Sequence, residues 1–149
     1  LSHIASYKTK IRVRPGNPES PAAQSDPTWK MLRAAVEAAA EDLGGTVGDH
    51  ILDYYNNRRY CDFAVSTPEF RRGVGIRVSR TTGEVRFLYD PYGDGRGAAK
   101  AIADRVAQNY MTLAVARALR QLNYEVEVTS GDQAEARGDR RDTLVRGVL

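Results

Sequence analysis

Between residues 46 and 89 apolar and polar side chains alternate with a period of two, and turn-forming residues break the alternation at short intervals. Successive side chains of a strand point to opposite faces, so this pattern specifies half-buried strands rather than helix. Connections of only a few residues join such strands antiparallel. The spacing predicts strands over 50–55, 60–66, 73–79 and 84–89. Asn56-Asn57, Thr67-Pro68-Glu69 and Thr81-Thr82-Gly83 supply the turn chemistry between them. Val85, Phe87 and Tyr89 fall on one face of the last strand, with Glu84 and Arg86 on the other.

The flanking segments fit around this meander. Residues 4–13 read as a strand, with Ile11 and Val13 on one face and Lys8, Lys10 and Arg12 on the other. Pro15, Pro18, Pro21 and Pro27 then define a loop over 14–27 that cannot enter a sheet interior. Asp26 is placed to cap a helix whose first position is Pro27. Trp29, Leu32, Val36, Ala39, Ala40 and Leu43 form its apolar stripe, and Gly44-Gly45 ends it. A second helix is predicted over 98–122. Its stripe of Ile102, Val106, Tyr110, Leu113 and Ala114 is widened by Met111, Val115, Ala118 and Leu122, so burial on two sides is expected, against a sheet and against a partner. Strands over 124–129 and 143–149 follow, separated by a polar tail at 130–142 that is expected to be mobile. The expected architecture is α+β: two layers, a mainly antiparallel sheet, and two main helices packed on one face. At 149 residues the chain is expected to form a single domain, 1–149, with the proline-rich loop as an insertion.

Composition narrows the function. A chain 42% hydrophobic and 28% charged is ordinary globular material, not a disordered one. One cysteine, Cys61, leaves no internal disulfide, and with only His3 and His50 beside it a four-ligand zinc site cannot be filled. No apolar run reaches the roughly 20 residues of a membrane span, and no secretory leader opens the sequence, so the cytoplasm is the expected compartment. The net charge of +3 is spread without a polybasic block, although 18 of the 22 basic residues are arginine.

Each chemical motif lacks a partner. Gly93-Asp94-Gly95-Arg96-Gly97-Ala98 matches a dinucleotide-binding fingerprint and opens a helix, but it follows a hairpin meander rather than a parallel βαβ unit. Nucleotide binding by the loop 93–97 therefore stands as an alternative reading, as does nucleic-acid binding through Arg71, Arg72, Arg77 and Arg86. The segment Arg72-Gly73-Val74-Gly75-Ile76-Arg77-Val78 is similar to the signature strand of RNA-recognition sheets, but Val and Ile stand where stacking aromatics are needed. Asp90 and Asp94 are too few for a calcium cage, and they read as turn residues. Asp49 and His50 are strand neighbours that point to opposite faces, which is the wrong geometry for an acid–base dyad. Cys61 reads as a core residue. No catalytic, cofactor-binding or metal-ligating set is expected, which points away from an enzyme.

A resemblance gives a more specific expectation. Ser2-His3 followed by Lys8-Thr9-Lys10-Ile11 resembles the opening of the hypothetical chloroplast reading frame family thirty-five, also described as domain of unknown function twelve fifty-seven. The likeness continues through Leu43-Gly44, Tyr60–Val65, the strand starting at Gly73, Val106-Ala107-Gln108-Asn109-Tyr110 and Leu122-Asn123-Tyr124-Glu125-Val126. The proline loop and the long tail depart from it. The resemblance implies no assigned catalytic residue and a genomic association with ATPases of the AAA+ type. The expectation is an accessory or adaptor protein that docks on such an assembly through a surface containing His3, Lys8, Lys10, Arg12 and Tyr110. Homo-oligomerisation through an edge strand or the second long helix is left open.

Overall fold

The computed structural model describes residues 3–123, 125–129 and 144–148. In chain order the elements are β1 (Ala5–Arg12), α1 (Pro21–Ser25), α2 (Pro27–Asp42), β2 (Thr46–Leu52), β3 (Arg58–Ser66), β4 (Val74–Val78), β5 (Glu84–Tyr89), α3 (Ala98–Gln121), β6 (Glu125–Thr129) and β7 (Leu144–Val148). They divide into two compact units, Leu1–Ala107 and Gln108–Leu149, with the division inside α3. The second unit carries the antiparallel pair β6–β7. The mobile tail expected at 130–142 lies outside the described residues, as do Ser2, Tyr124, Thr143 and Leu149.

The first unit is an α+β fold built on a five-stranded antiparallel sheet in the order β1-β5-β4-β3-β2. Directly paired residues share a face, so Tyr7, Phe87, Ile76 and Phe63 line up on one side with Val65–Val74 and Val78–Val85. That side is the core: Val65, Val74, Ile76 and Val85 are fully buried, together with Trp29, Leu32, Val36 and Ala39 of α2 and Ile102 and Val106 of α3. An Arg105–Asp42 ion pair of 3.1 Å ties the two helices. Among the described residues no helix is long and apolar enough to cross a membrane.

The proline-rich segment is not featureless. Ser20 caps Pro21–Ser25, with Pro21 at the first helical position, so one short helical turn forms where a plain loop is expected. Arg14 N–H donates to Thr28 Oγ1 (3.0 Å), and Trp29 Nε1 donates to the Arg14 carbonyl (2.9 Å), pinning the loop to α2. Asp26 caps α2 as expected, and its hydrogen bond from Thr28 holds its carboxyl below the ordinary aspartate range.

The β2–β3 hairpin departs most from the sequence pattern. Gly48 pairs with Ala64 but His50 pairs with Tyr60, so β3 gains two residues on β2 across this step. Such an irregularity bends the strand pair. The outer part of the hairpin folds over one end of the sheet's second face. Ile51 (fully buried) packs with Ala64 and Leu88, flanked by Ile4 and Cys61. Leu52 N–H donates to the Arg72 carbonyl (2.9 Å), and Tyr54 N–H donates to Asp90 Oδ2 (2.9 Å). Gly75 makes room, because a Cβ there would stand 3.0 Å from Cys61 Sγ and 3.4 Å from Ile51 Cγ2. The strand expected over 50–55 therefore ends at Leu52, and Asp53 begins the turn.

Candidate interaction surfaces

The covered end of the second face is organised around two side chains. Asp90 is 0% exposed at the end of β5. Its carboxylate accepts Tyr54 N–H at 2.9 Å and Tyr92 N–H at 3.0 Å. Arg72 Nη2 donates to the carbonyls of Asp90 (3.2 Å) and Tyr92 (2.6 Å). The Arg72 guanidinium lies 5.4 Å from the Tyr54 ring centroid and 5.0 Å from that of Phe70, within cation–π range of both. Its Nη1 is buried without a hydrogen-bond partner. Arg72, considered from sequence as a nucleic-acid contact, is instead the rivet that fixes the hairpin arm to the β5–α3 loop.

The other end of that face is open and basic. Lys8 pairs with Arg86, and Arg86 pairs with Arg77, so three cations stand in one row across β1, β5 and β4. Like charges placed directly opposite destabilise a sheet. Glu84 relieves Arg86 at 2.8 Å, and Arg77 Nη2 donates to the Tyr60 carbonyl at 2.7 Å. Beside them Arg80 pairs with Asp62 at 2.7 Å, and this hydrogen bond raises the guanidinium pKa. Of the residues considered from sequence, Lys8, Arg77 and Arg86 therefore converge. Lys10 and Arg12 are exposed on edge strand β1 around a register irregularity, and Arg12 pairs with Glu84. Thr9 supports this irregularity by donating to the Val85 carbonyl (2.6 Å). His3 is exposed near the start of the chain, and Arg71 is exposed in the turn before β4. Tyr110, expected on the docking surface, is 6% exposed: its place in the α3 stripe makes it a core residue.

The glycine-rich loop opens a cleft of about 820 Å³ between the end of α2, the start of α3 and residues 67–69. Asp94 already fills the seat a phosphate would take. Its two oxygens accept Ala98 N–H and Ala99 N–H, each at 3.0 Å, which satisfies donors that a helix N-terminus would otherwise offer to an anion. Asp42 and Glu69 also line the cleft, against the single cation Arg96. Cys61 is partly buried, and burial pushes its thiol up to about 11, far from a nucleophile's range. His50 Nδ1 lies 3.0 Å from Asp49 Oδ1. The two residues that point to opposite faces in a regular strand are thus brought together at the irregularity in β2. Among the described residues no group of three His, Cys, Asp or Glu side chains is placed to hold a metal ion.

Along α3 the apolar side chains divide. Ile102, Val106 and Tyr110 are buried, whereas Met111, Val115 and Ala118, and Leu122 in the turn after the helix (65% exposed), face solvent. Their spacing of four, three and four is the seam spacing of a two-helix coiled coil.

The fold and these surfaces define an α+β protein with a latched hairpin arm, an open basic half-face and an exposed helical seam. Comparison of the chain with protein-family models, with curated proteins and with solved structures finds no match.

Proposed function

We propose that this chain is a non-enzymatic accessory protein that acts in the cytoplasm by docking on a larger protein assembly, with an ATPase of the AAA+ type as its partner. The observation that carries the reading is the exposed seam Met111, Val115 and Ala118 on α3, continued by Leu122 in the turn after it. An amphipathic helix of a partner laid along a seam of this spacing buries it through interlocking side chains. Burial of apolar surface at about 25 cal/mol per Å² then supplies the driving force. The resemblance of the opening residues and of Gln108-Asn109-Tyr110 to a family encoded beside such ATPases supports the choice of partner.

Co-purification tests it. Tagged full-length chain and its Met111→Asp/Leu122→Asp double variant are compared in native extract, with mass spectrometry of what each retains. An AAA+ subunit held by the first and released by the second is the expected result. Equal retention by both, or a lone monomer at every concentration and in every buffer, refutes the proposal.

A further inference from the structure

The tip of the hairpin arm reads Tyr54-Tyr55-Asn56-Asn57-Arg58-Arg59-Tyr60, and all seven residues are exposed. The Tyr54 ring packs on the Arg72 guanidinium and edge-on to Tyr92, but Tyr55 and Tyr60 give up most of the burial that normally makes tyrosine useful to a fold. Tyr55 is 66% exposed and Tyr60 61%. Arg58 and Arg59 stand between the rings in sequence, and no carboxylate falls within 54–60. The acid adjacent in sequence, Asp53, is engaged in shaping the tip: it accepts Tyr55 N–H at 2.8 Å, Asn57 N–H at 2.9 Å and Asn57 Nδ2 at 2.9 Å. Asp49, which feels the charge of Arg58 across the hairpin, lies 3.0 Å from His50 Nδ1. Asn56 takes the left-handed conformation the turn requires, with φ of 65°. With Tyr54 N–H latched to Asp90 as well, the rings sit on a fixed hairpin, so binding demands little further ordering.

The surroundings indicate what such a hairpin binds. Among the described residues of the unit Leu1–Ala107 the exposed large hydrophobics are Tyr7, Val47, Tyr54, Tyr55, Tyr60 and Tyr92, with a single aliphatic among them. Tyrosine and arginine also serve protein–protein interfaces, but there they sit in an apolar core from which lysine is depleted, whereas residues 54–60 include no aliphatic side chain and the arm runs into a row that contains Lys8. At the base of the arm, Arg77 reaches the Tyr60 carbonyl and continues into the row Arg77–Arg86–Lys8. Rings offering flat π surfaces, together with cations that neutralise phosphates, match single-stranded nucleic acid. In a duplex the base faces are already stacked and closed to the rings.

We infer that the arm 54–60, with the row Lys8, Arg86 and Arg77 at its base, binds single-stranded nucleic acid. Bases stack on Tyr55 and Tyr60 while the arginines neutralise phosphates. This surface shares no residue with the α3 seam, so it stands or falls independently of the proposed docking.

The test is fluorescence anisotropy of the full chain with labelled single-stranded RNA and DNA of about 12 nucleotides, within the range of known single-strand sites. A duplex of the same sequence serves as comparison. Both single strands are expected to bind, more weakly as salt rises, with the duplex weaker still; the tighter of RNA and DNA identifies the natural strand. Replacing Tyr55 and Tyr60 together by alanine weakens binding by about tenfold or more, with the melting temperature unchanged because both rings are exposed. Arg58→Gln lowers the dependence of affinity on salt. Absence of binding at low salt, affinity indifferent to salt, a duplex bound as tightly as its strands, or a double variant equal to the parent each overturns the inference. Photo-crosslinking from position 55 to a protein, with no oligonucleotide bound, overturns it in favour of a protein-docking arm.

Discussion

Replacing Asp90 by alanine tests the latch that holds the arm. The carboxylate is fully buried and joins two segments far apart in sequence, by accepting Tyr54 N–H and Tyr92 N–H. Hydrogen bonds to a charged group contribute about 1.5–3 kcal/mol each. Both amides are only part-buried, so water recovers some of that once the carboxylate is gone. The expected destabilisation is about 3–5 kcal/mol, a large share of the roughly 5–15 kcal/mol available to a domain. Asp90→Asn keeps the shape and one carbonyl acceptor, but turns an NH₂ toward a backbone N–H. About half the loss is expected there. Urea unfolding of the three proteins gives the differences from the midpoints, provided the slopes agree. Hydrogen exchange at the Tyr54 amide locates the effect, since exchange there should accelerate first. An alanine variant within about 0.5 kcal/mol of the parent, or Tyr54 protection unchanged, would refute the claim that Asp90 latches the arm.

Other substitutions probe other parts of the fold. Gly83 has φ of +75°, and a Cβ there would overlap the Val13 carbonyl oxygen. Gly83→Ala should therefore cost about 2 kcal/mol or more in urea unfolding, and a neutral result would mean that β1 and the β4–β5 turn do not meet as described. The Cys61 thiol, pushed up to about 11 chiefly by burial, should resist iodoacetamide at pH 8 in the native protein and react once unfolded; comparable native labelling contradicts its burial. Asp53 is held below the ordinary carboxylate range, first by the Asn57 N–H. A depressed folded pKa stabilises the turn above the ordinary value of about 3.9, and this is lost as pH falls through the lower folded value. The Tyr55 and Asn57 amide shifts followed by NMR should move only below that ordinary value, and Asp53→Asn should abolish the movement; a midpoint at or above it refutes the assignment.

Much of the scaffold is readable locally. The meander, the Asp26-Pro27 start of α2 and its Gly44-Gly45 stop follow from side-chain period and capping chemistry, which neighbouring residues decide among themselves. The row Lys8–Arg86–Arg77 is only half legible. Each cation sits on the polar face of its own strand, but whether three strands align them depends on register, and register is set by pairing across the sheet. The proline count conceals α1 because a helix accepts proline in its first turn.

The arm is where local reading stops. The sequence predicts a strand over 50–55 running straight to the Asn56-Asn57 turn, and nothing within the segment announces a fold-over. The bend comes from two extra residues in β3, from the missing side chain at Gly75 that admits Ile51, and from Asp90, 36 residues from Tyr54 along the chain. In the same way, the period of α3 marks an apolar band too wide for one contact, but it cannot say which part is covered. Ile102, Val106 and Tyr110 are enclosed, while Met111, Val115 and Leu122 stay open. Sequence alone determined most of the elements, α1 excepted, because propensity and period are properties of adjacent residues. Only the tertiary structure decided which faces remain free, because burial depends on what distant segments bring to lie against them.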